Sequence, residues 1–320
     1  MPLTSAVIKR RARELGFDAC GIAPATAHPE LRFFSEWLSR GYAASMAYLS
    51  RSAATRADVR QLLPSARSVI ALATLYNTGR PYSTECADPG RAKVARYAWG
   101  DDYHDVIGRR LDALIAWMHE QHPDPFEAAP YVDTGPVQER VYAQHAGIGW
   151  IGKNACVINE RLGSFIFLAE IICSLPLEPD PPSLDQCGTC TLCLEACPTA
   201  ALVAPGVLDS NRCISYLTIE HRGAIPDEVT AAIGSHVYGC DVCQEVCPWN
   251  GAAPVSSEPA WQPRPVWDQP ALVDLLQMDD RRLRGALDGS AMKRARVDGL
   301  RRNLEVASAN AAAKKSKVSG

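Results

Sequence analysis

The chain has 320 residues, of which 47% are apolar and 22% are charged, and its formal charge is −3. That length allows one large domain, or a domain of roughly 200 residues with smaller additions. No apolar run reaches the ~18 residues that a membrane span needs, so we expect a soluble protein. The basic residues near the N-terminus follow the apolar ones and form no twin-arginine export pattern, so we expect a cytoplasmic location.

Regular patterns of apolar residues run through positions 1–175 and predict a mixture of helices and strands. A first helix is expected to end near Gly16, and a strand with the sequence FDACGIA follows it. Two longer apolar stretches, at Ser68–Tyr76 and Gly163–Cys173, are typical of strands buried inside a domain. Helical spacing after Asp101 predicts a helix whose apolar face includes Ile107, Leu111, Leu114, Ile115 and Met118. The fold class is therefore predicted to be α+β, with an N-terminal α/β domain.

A proline-rich segment at Leu175–Asp185 interrupts regular structure and marks the clearest domain boundary. We expect one domain at 1–175, a cysteine-rich module at 176–250, and a basic helical segment at 251–320 that ends in a disordered tail. Residues 281–320 hold eleven lysines and arginines against three acids. Such a concentration of charge is typical either of a solvated helix face or of a surface that neutralises nucleic-acid phosphates.

Twelve cysteines in a long chain of a reducing compartment favour metal binding or catalysis over disulfides. Positions 187–198 read CxxCxxCxxxCP, the spacing with which bacterial ferredoxins bind 4Fe-4S clusters. Positions 240–248 repeat this run without its first cysteine, which Cys213 is expected to replace. In two-cluster proteins the last cysteine of each run binds the other cluster. A chain with two such clusters is expected to transfer single electrons. The predicted ligand sets are Cys187, Cys190, Cys193 and Cys247 for one cluster, and Cys197, Cys213, Cys240 and Cys243 for the other.

Zinc is the alternative occupant of paired CxxC motifs, because four cysteines also form tetrahedral zinc sites. Zinc, however, does not call for a proline after the last cysteine or for two runs of this shape. The remaining four cysteines are assigned no function, and two of them lie in apolar segments where cysteine packs as a small hydrophobe. These four are Cys20, Cys86, Cys156 and Cys173.

Two further motifs match cofactor-binding patterns incompletely. GIGWIG at Gly147–Gly152 matches a dinucleotide-binding glycine pattern, but it follows a helical stretch instead of a strand, so a helix C-cap and loop is expected. Asp102, His104 and Gly108 resemble the cobalamin-ligating pattern DxHxxG, but three residues separate the histidine from the glycine. His104 is therefore predicted to be a histidine at the start of a helix.

Together with the cysteine runs, several segments resemble the epoxyqueuosine reductase family over nearly the whole chain. They read ELGFDACGIAP near the start, RYAWGDDYHDV at Arg96–Val106, YVDTGPVQER at Tyr131–Arg140, GWIGKN at Gly149–Asn154, YGCDVCQEVCPWN at the second run and MKRARVDGLRRN at Met292–Asn303. The resemblance implies an oxidoreductase that converts the epoxide of epoxyqueuosine in transfer RNA to the alkene of queuosine. It also implies a base-off cobalamin between the N-terminal catalytic domain and the ferredoxin-like module.

Site residues other than the cysteines follow from the same resemblance. Asp133 is implied as the proton donor, although a free aspartate with a pKa near 3.9 is protonated only about once in a thousand molecules at pH 7. Burial against a corrin ring is expected to raise that pKa, and an N-cap before Pro136 is the structural alternative for Asp133. Tyr97 is implied over the cobalt face, where it positions or protonates substrate, or else it is a packed tyrosine. The candidates for corrin, phosphate or substrate contacts are Arg56, Arg140, Lys153 and Asn154.

The resemblance also implies the partners of the chain. These are a transfer RNA that carries epoxyqueuosine in its anticodon loop and an external low-potential electron donor, with no membrane and a monomeric state. Many family members carry a C-terminal helical-repeat extension that helps to hold the RNA, whereas this chain stops soon after Asn303, so a weaker or different grip on the RNA is expected. Two other functions stay open at this point: a reductive dehalogenase, which combines cobalamin with two clusters, and a non-catalytic electron-transfer protein.

Overall fold

The structure, a computed structural model, describes residues 3–318 of the chain, and no helix in that range is long and apolar enough to cross a membrane. Short 3-10 helices join many of the regular elements. The strands are β1 (Ala19–Pro24), β2 (Ser68–Leu75), β3 (Lys93–Val94), β4 (Ala128–Tyr131), β5 (Trp150–Ile151), β6 (Val157–Ile158), β7 (Ile166–Cys173), β8 (Leu202–Ala204), β9 (Val207–Leu208) and β10 (His236–Tyr238). The α-helices are α1 (Ser5–Glu14), α2 (Phe33–Ser39), α3 (Ala47–Arg51), α4 (Ala53–Ala57), α5 (Tyr103–Gln121), α6 (Glu139–His145), α7 (Leu192–Ala196), α8 (Ile214–Ile219), α9 (Asp227–Ile233), α10 (Val242–Glu245), α11 (Pro248–Gly251), α12 (Leu272–Gln277), α13 (Asp280–Leu287) and α14 (Arg296–Val318).

A four-stranded sheet in the order β1-β2-β7-β4 forms the centre of the N-terminal half, and all its strand pairs are antiparallel. Helices α1 and α5 pack on the face that presents Ile70 and Leu72, whereas α6 packs on the face that presents Ala71 and Ala73. Every residue of β2 is consequently buried. Burial on both faces explains why β2 and β7 read as nearly continuous apolar runs. Both predicted strands are confirmed, and so is the α+β class.

Helix α5 begins after Asp102, whose side chain accepts the backbone N–H of His104 and caps the first turn. The predicted helix is confirmed, and His104 lies in its first turn as expected. Helix α6 ends at His145, and Gly147 follows with a φ of 72°, a conformation that favours glycine after a helix. The GIGWIG stretch therefore begins at a helix C-terminus, as predicted, but its Trp150 and Ile151 form strand β5 instead of loop. The buried side chains of α5 include Ile107, Leu111, Leu114 and Met118.

The cysteine-rich region joins the N-terminal half through a strand pair and a common core. Strand β10 pairs in parallel with β3, which comes from the N-terminal half. Val94 of β3, Val237 of β10 and Leu304 of α14 belong to one apolar cluster. The C-terminal segment therefore packs over the junction between the two preceding parts of the chain. The sequence limits of the three segments stay a prediction.

The end of the chain is helical as far as the structure describes it. Helix α14 continues through the AAAKKSK stretch to Val318, so the prediction of a disordered tail is wrong for those residues. Ser319 and Gly320 lie outside the described residues. Leu300 and Leu304 are fully buried and hold the first turns of α14 in place. A helix that is fixed at one end propagates readily through alanine and lysine, both of which have high helix propensity.

Candidate functional site

Four cysteines of the first predicted set surround one small cavity. Cys187 and Cys190 come from the loop before α7, Cys193 from its first turn, and Cys247 from the residue before α11. Apolar side chains of β6 and α11 form other parts of the wall. The indole N–H of Trp150 donates a hydrogen bond to Cys187 Sγ at 3.4 Å. Hydrogen bonds to sulfur and apolar surroundings are features that tune iron–sulfur clusters in proteins.

The second predicted set gathers around the N-terminal ends of α8 and α10. Cys213 is the N-cap of α8, Cys240 precedes α10 and Cys243 lies in its first turn. Burial raises the pKa of the Cys240 thiol, and the neighbouring Cys213 and Cys197 raise it further. A bound metal offsets this effect, because its charge stabilises the thiolate. The donor chemistry of both sets therefore fits two 4Fe-4S clusters.

The spacing of the thiols bears on the zinc alternative. Among residues 3–318 no group of three or more histidine, cysteine or acidic side chains is arranged to hold a single metal ion. The ligands of a zinc site all contact one ion, at about 2.0–2.3 Å. In a four-iron cluster each thiolate binds a different iron atom, so the sulfurs stand farther apart.

Cys156, to which the sequence assigns no function, lies next to the cluster cysteines. Burial raises the pKa of its thiol to about 12, and Cys247 and Cys193 are among the groups that affect it. Cys156 in turn raises the pKa of Cys243. Because Cys156 belongs to neither cysteine run, spacing alone gives no sign of this proximity.

Asp133 lies in the loop between β4 and α6. Its side chain is 58% exposed, and its backbone is in the left-handed region with a φ of 52°. A non-glycine residue keeps that conformation only with support from its surroundings. The Asp133 N–H donates to the carboxylate of Glu139, and Asp133 Oδ2 lies 3.3 Å from His104 Nε2. The N-cap of α6 is Gln138, so the alternative assignment of Asp133 as an N-cap is wrong.

A row of polar contacts connects Asp133 with the C-terminal segment. His104 Nδ1 lies 2.7 Å from Asp102 Oδ1, and the Asp102 side chain is only 1% exposed. Asp102 Oδ2 forms an ion pair of 2.7 Å with the ammonium group of Lys293, in the MKRAR segment. Asp133, His104, Asp102 and Lys293 thus form a continuous row, which we call the acid row. No pattern in the sequence joins these four residues.

Charges within the acid row set the protonation states of its members. Burial lowers the pKa of His104, but the carboxylates of Asp102 and Asp133 outweigh burial and raise that pKa to about 9. Burial raises the pKa of Asp133, as expected, yet His104 and the Tyr103 hydroxyl lower it, so the net shift is downward. In the protein by itself, the row therefore holds an imidazolium beside a carboxylate at neutral pH. A further effect of a corrin ring on Asp133 stays a prediction.

A pair of carboxyl groups lies behind the Asp133 loop. Glu170 is fully buried in β7 and neighbours Glu139 at the start of α6. Burial and the charge of Asp133 raise the pKa of Glu139 to about 7, while burial and the charge of Glu139 raise that of Glu170 well above its ordinary value. The pair therefore retains at least one proton near neutral pH. The one sign of it in the sequence is a charged residue inside the apolar run IFLAEIIC.

Tyr97 is half-buried, and its hydroxyl is engaged within the protein. It donates to the Tyr238 hydroxyl at 3.2 Å, and Tyr238 donates to the Ala291 carbonyl at 2.8 Å. Burial raises the pKa of Tyr97 well above its ordinary value. The Tyr97 ring packs edge-on against Tyr103, whose own ring stacks on His104. Tyr97 thus supports the wall of the site, and its role as a proton donor stays a prediction.

Lys153 and Asn154, two of the four candidates for cofactor or substrate contacts, hold the cluster loops. The Lys153 ammonium donates to the carbonyl oxygens of Gly188 and Cys190 at 2.6 and 2.9 Å. The Asn154 amide donates to the carbonyl oxygen of Cys243 at 3.2 Å. The two residues therefore connect the loop before β6 to both cysteine sets.

Arg56 and Arg140, the other two candidates, lie near the Asp133 loop. Arg56 Nη1 donates to the Val137 carbonyl at 2.9 Å, and Arg140 Nη1 donates to the Ala155 carbonyl. Burial lowers the pKa of Arg56, and the charges of Glu139 and Asp133 are among the groups that oppose this shift. Contacts of Arg56 and Arg140 with a cofactor or substrate stay a prediction.

Two family models match parts of the chain. Residues 186–250 match the "4Fe-4S double cluster binding domain", and residues 56–134 match "Epoxyqueuosine reductase QueG, DUF1730". The first of these contains all eight predicted cluster cysteines. The prediction of two 4Fe-4S clusters is confirmed at the level of this domain, while the assignment of single ligands stays a prediction.

Proteins named epoxyqueuosine reductase are similar to nearly the whole chain. The protein of Gloeobacter violaceus is 44% identical over 317 residues, which cover 96% of this chain and 96% of the relative. The protein of Pseudomonas aeruginosa is 41% identical over 306 residues, which cover 95% of this chain and 84% of the relative.

Solved structures of enzymes with the same name share the fold. A crystal structure of epoxyqueuosine reductase with an epoxyqueuosine-modified tRNA-Tyr stem loop matches with a TM-score of 0.86 and 34% identity, covering 95% of this chain and 80% of the other. The Bacillus subtilis enzyme, with its catalytic aspartate loop swung out of the active site, matches with a TM-score of 0.85 and 33% identity at the same coverage. The similarity therefore includes both the Asp133 loop and the cysteine-rich region.

Proposed function

The chain belongs to the epoxyqueuosine reductase family, and on this premise we propose that it reduces the epoxide of epoxyqueuosine in transfer RNA to the alkene of queuosine. The observation that carries the proposal is the match, over 95% of the chain, to a reductase structure that holds an epoxyqueuosine-modified stem loop. The reaction removes one oxygen atom as water and consumes two electrons and two protons. The chain must therefore supply a route for electrons, a proton donor and a surface for RNA.

Electrons reach the site through the two clusters. Cys187, Cys190, Cys193 and Cys247 would bind one cluster, since they surround a common cavity. The second cluster would be bound by four cysteines that are spread along the cysteine-rich region. These are Cys197, Cys213, Cys240 and Cys243. An external low-potential electron donor would reduce both clusters again after each turnover. Lys153 and Asn154 would hold the loops of the two cysteine sets in fixed positions relative to each other.

Base-off cobalamin is the cofactor that we propose between the Asp133 loop and the cluster module. When bound, it would supply strongly reducing chemistry. Both ring nitrogens of His104 already face carboxylates, at 2.7 and 3.3 Å, so this histidine would not be free to bind a metal. The residues present therefore fit a cobalamin that takes no ligand from His104. Arg56 and Arg140, which flank the Asp133 loop, are the proposed contacts for its polar groups.

Asp133 is the proposed proton donor to the oxygen that leaves the substrate. Its carboxyl group is exposed at the tip of a loop and lies close to His104, Tyr103 and Arg294. The left-handed backbone at Asp133 marks a loop that its surroundings hold in place, a common property of functional sites. The loop that swings out in the Bacillus subtilis enzyme carries that protein's catalytic aspartate, which supports the assignment.

The RNA surface would include helix α13, which follows the cluster module. Arg281, Arg282 and Arg284 are exposed on this helix, whereas Leu283 and Leu287 turn inward. Arginines on one exposed face attract phosphates irrespective of sequence. We propose that a monomer of the chain holds the anticodon stem loop there while the modified base reaches Asp133.

A reconstitution assay tests this function. The protein is purified anaerobically, loaded with iron, sulfide and cobalamin, and mixed with an epoxyqueuosine stem loop and a chemical reductant. Mass spectrometry of the RNA should show the loss of one oxygen atom, and only when cobalamin is present. Two intact clusters without cobalamin binding or oxygen loss would leave an electron-transfer protein as the better description.

A further inference from the structure

The acid row places a second ionisable group directly behind the proposed proton donor. Asp133 Oδ2 lies 3.3 Å from His104 Nε2, His104 Nδ1 lies 2.7 Å from Asp102 Oδ1, and Asp102 Oδ2 lies 2.7 Å from Lys293 Nζ. The two carboxylates lie on opposite nitrogens of one imidazole ring. A protonated ring therefore donates to both of them at once.

The orientation of the His104 ring is fixed from several sides. Asp102 is almost fully buried, and its Oδ1 also accepts the backbone N–H of His104 at 3.2 Å, so this carboxylate cannot turn away. The Tyr103 ring stacks on His104 with ring centres 4.0 Å apart. Nδ1 must consequently face Asp102, and Nε2 must face Asp133. A histidine that served only to hold the capping Asp102 in place would not need a second carboxylate on Nε2.

We propose that His104 is the proton reservoir for Asp133, held in position by Asp102 and Lys293. In this step, which rests on the proposed function, the Nε2–H proton of His104 passes to the Asp133 carboxylate at Oδ2, and Asp133 gives that proton to the leaving oxygen. The N–H bond at His104 breaks, an O–H bond at Asp133 forms and breaks, and an O–H bond forms on the leaving oxygen. His104 ends neutral and regains a proton from water, and no group of the row changes oxidation state.

The charges around the ring favour this use. Burial lowers the pKa of His104, but Asp102 and Asp133 outweigh burial and raise it to about 9, so the ring carries its proton at neutral pH. His104 and the Tyr103 hydroxyl outweigh burial and hold the pKa of Asp133 below its ordinary value, so at neutral pH Asp133 is protonated even more rarely than a free aspartate. A reservoir at hydrogen-bond distance solves that difficulty. The charged and titratable groups in and around the row are Asp102, Tyr103, Asp133, Glu139, Lys293 and Arg294.

Water can reach His104 to restore its proton. A groove of about 410 Å³ lies between α5 and the Asp133 loop, and its lining includes His104, Gly108, Asp112, Thr134 and Gly135. The His104 side chain is 27% exposed. The reservoir is thus open to solvent, as repeated turnover requires.

The test replaces His104 with glutamine, which keeps an N–H donor but cannot carry an ionisable proton. Reconstituted His104→Gln is expected to lose about 10²-fold in kcat at pH 7.5, the usual scale for a proton-transfer group, while its KM for the stem loop stays within about 3-fold of wild type. Wild-type kcat should fall as pH rises through about 9, where His104 loses its proton. In His104→Gln the fall should start at lower pH. His119→Gln, an exposed histidine on the same helix, is the control and should keep wild-type values.

Two further measurements separate this inference from other failures. Asp102→Asn keeps a side chain that can cap the helix but removes the negative charge that faces His104 Nδ1. The fall of kcat at alkaline pH should then begin about one pH unit lower, or more. NMR titration of labelled histidines should show one ring that titrates near pH 9 in wild type and is absent from His104→Gln. A His104 signal that titrates below pH 7, or a His104→Gln enzyme with wild-type kcat and pH profile, would overturn the inference. Wild type that removes no oxygen would instead overturn the proposed function.

Discussion

The backbone N–H of Asp133 donates to the carboxylate of Glu139, and this bond holds the aspartate in the left-handed conformation. Glu139 is the first residue of α6, so the loop is tied to a helix that packs on the central sheet. The same carboxyl group neighbours the fully buried Glu170 of β7. The position of Asp133, the proposed proton donor, thus depends on the carboxyl pair of Glu139 and the buried Glu170.

Loss of the Glu139 acceptor should release the Asp133 loop. Glu139→Ala removes the side chain that accepts the Asp133 N–H, and a left-handed aspartate costs roughly 1–3 kcal/mol unless it is supported. We expect kcat to fall about 10-fold, with faster hydrogen exchange at the backbone amides of residues 132–135. Glu160→Ala, at an exposed glutamate, should change neither quantity. Unchanged exchange in Glu139→Ala would show that the loop is held by other contacts.

The buried carboxyl of Glu170 should make stability depend on pH. Its folded-state pKa lies above 4.5, so the folded chain binds more protons than the unfolded chain, and stability falls as pH rises above 4.5. Glu170→Gln removes this loss without changing the size of the side chain. At pH 8 it should stabilise the protein by about 1–2 kcal/mol, or roughly 3–6 °C in Tm, with a smaller gain at pH 5.

Thermal unfolding of wild type and Glu170→Gln at both pH values checks this. Asp241 is also buried, with its pKa raised to about 7, so some pH dependence must remain in the variant. The difference between the two proteins therefore isolates Glu170. An equal change in Tm at pH 5 and pH 8 would mean that ionisation of Glu170 does not affect the stability of the fold.

Cys243 and Cys156 should behave differently although they are close in space. Cys243→Ser removes a proposed cluster ligand, and the iron content should fall by about one cluster per chain, with loss of one of the two reduced-cluster EPR signals. Cys156→Ser is the matched control, because it changes a buried neighbouring thiol that belongs to neither set. Equal iron loss in both variants would indicate that Cys156 is itself a ligand.

The exposed arginines of α13 should determine the salt dependence of RNA binding. Changing Arg281, Arg282 and Arg284 together to alanine should weaken stem-loop binding about 10-fold at ~0.1 M salt and reduce the slope of log K against log salt. The value of kcat at saturating RNA should be unchanged. Arg10→Ala with Arg13→Ala, two exposed arginines on α1, is the control. A triple variant with the wild-type slope would place the RNA on another face.

Local sequence patterns were sufficient for much of the fold. The strands that contain Val69 and Ile171 are buried on both faces, so their composition alone distinguishes them, and α5 shows helical spacing after its capping aspartate. The cysteine runs predicted the 4Fe-4S double cluster domain because ferredoxin-type spacing is specific. The tail was predicted wrongly because its polar composition hides its continuity with the packed first turns of α14.

The contacts around Asp133 could not be predicted in this way. His104 precedes Asp133 by 29 positions, and Lys293 belongs to a segment that reaches Asp102 only through tertiary packing. In the sequence, Glu170 is an unexplained charged residue within an apolar strand, and only the structure shows that Glu139 lies beside it. Local sequence propensities cannot predict such pairs, because the contacts depend on how the C-terminal segment and α6 pack in the folded chain.

The proposed reaction is tested most directly by the modified nucleoside in living cells. A bacterial strain that lacks its epoxyqueuosine reductase would express either the wild-type chain or Asp133→Asn, and its transfer RNA nucleosides would be separated and identified by mass. Queuosine should return with wild type, whereas epoxyqueuosine should persist with Asp133→Asn at equal protein level and cluster content. Persistence of epoxyqueuosine with the wild-type chain, expressed and loaded with both clusters, would contradict the reductase function.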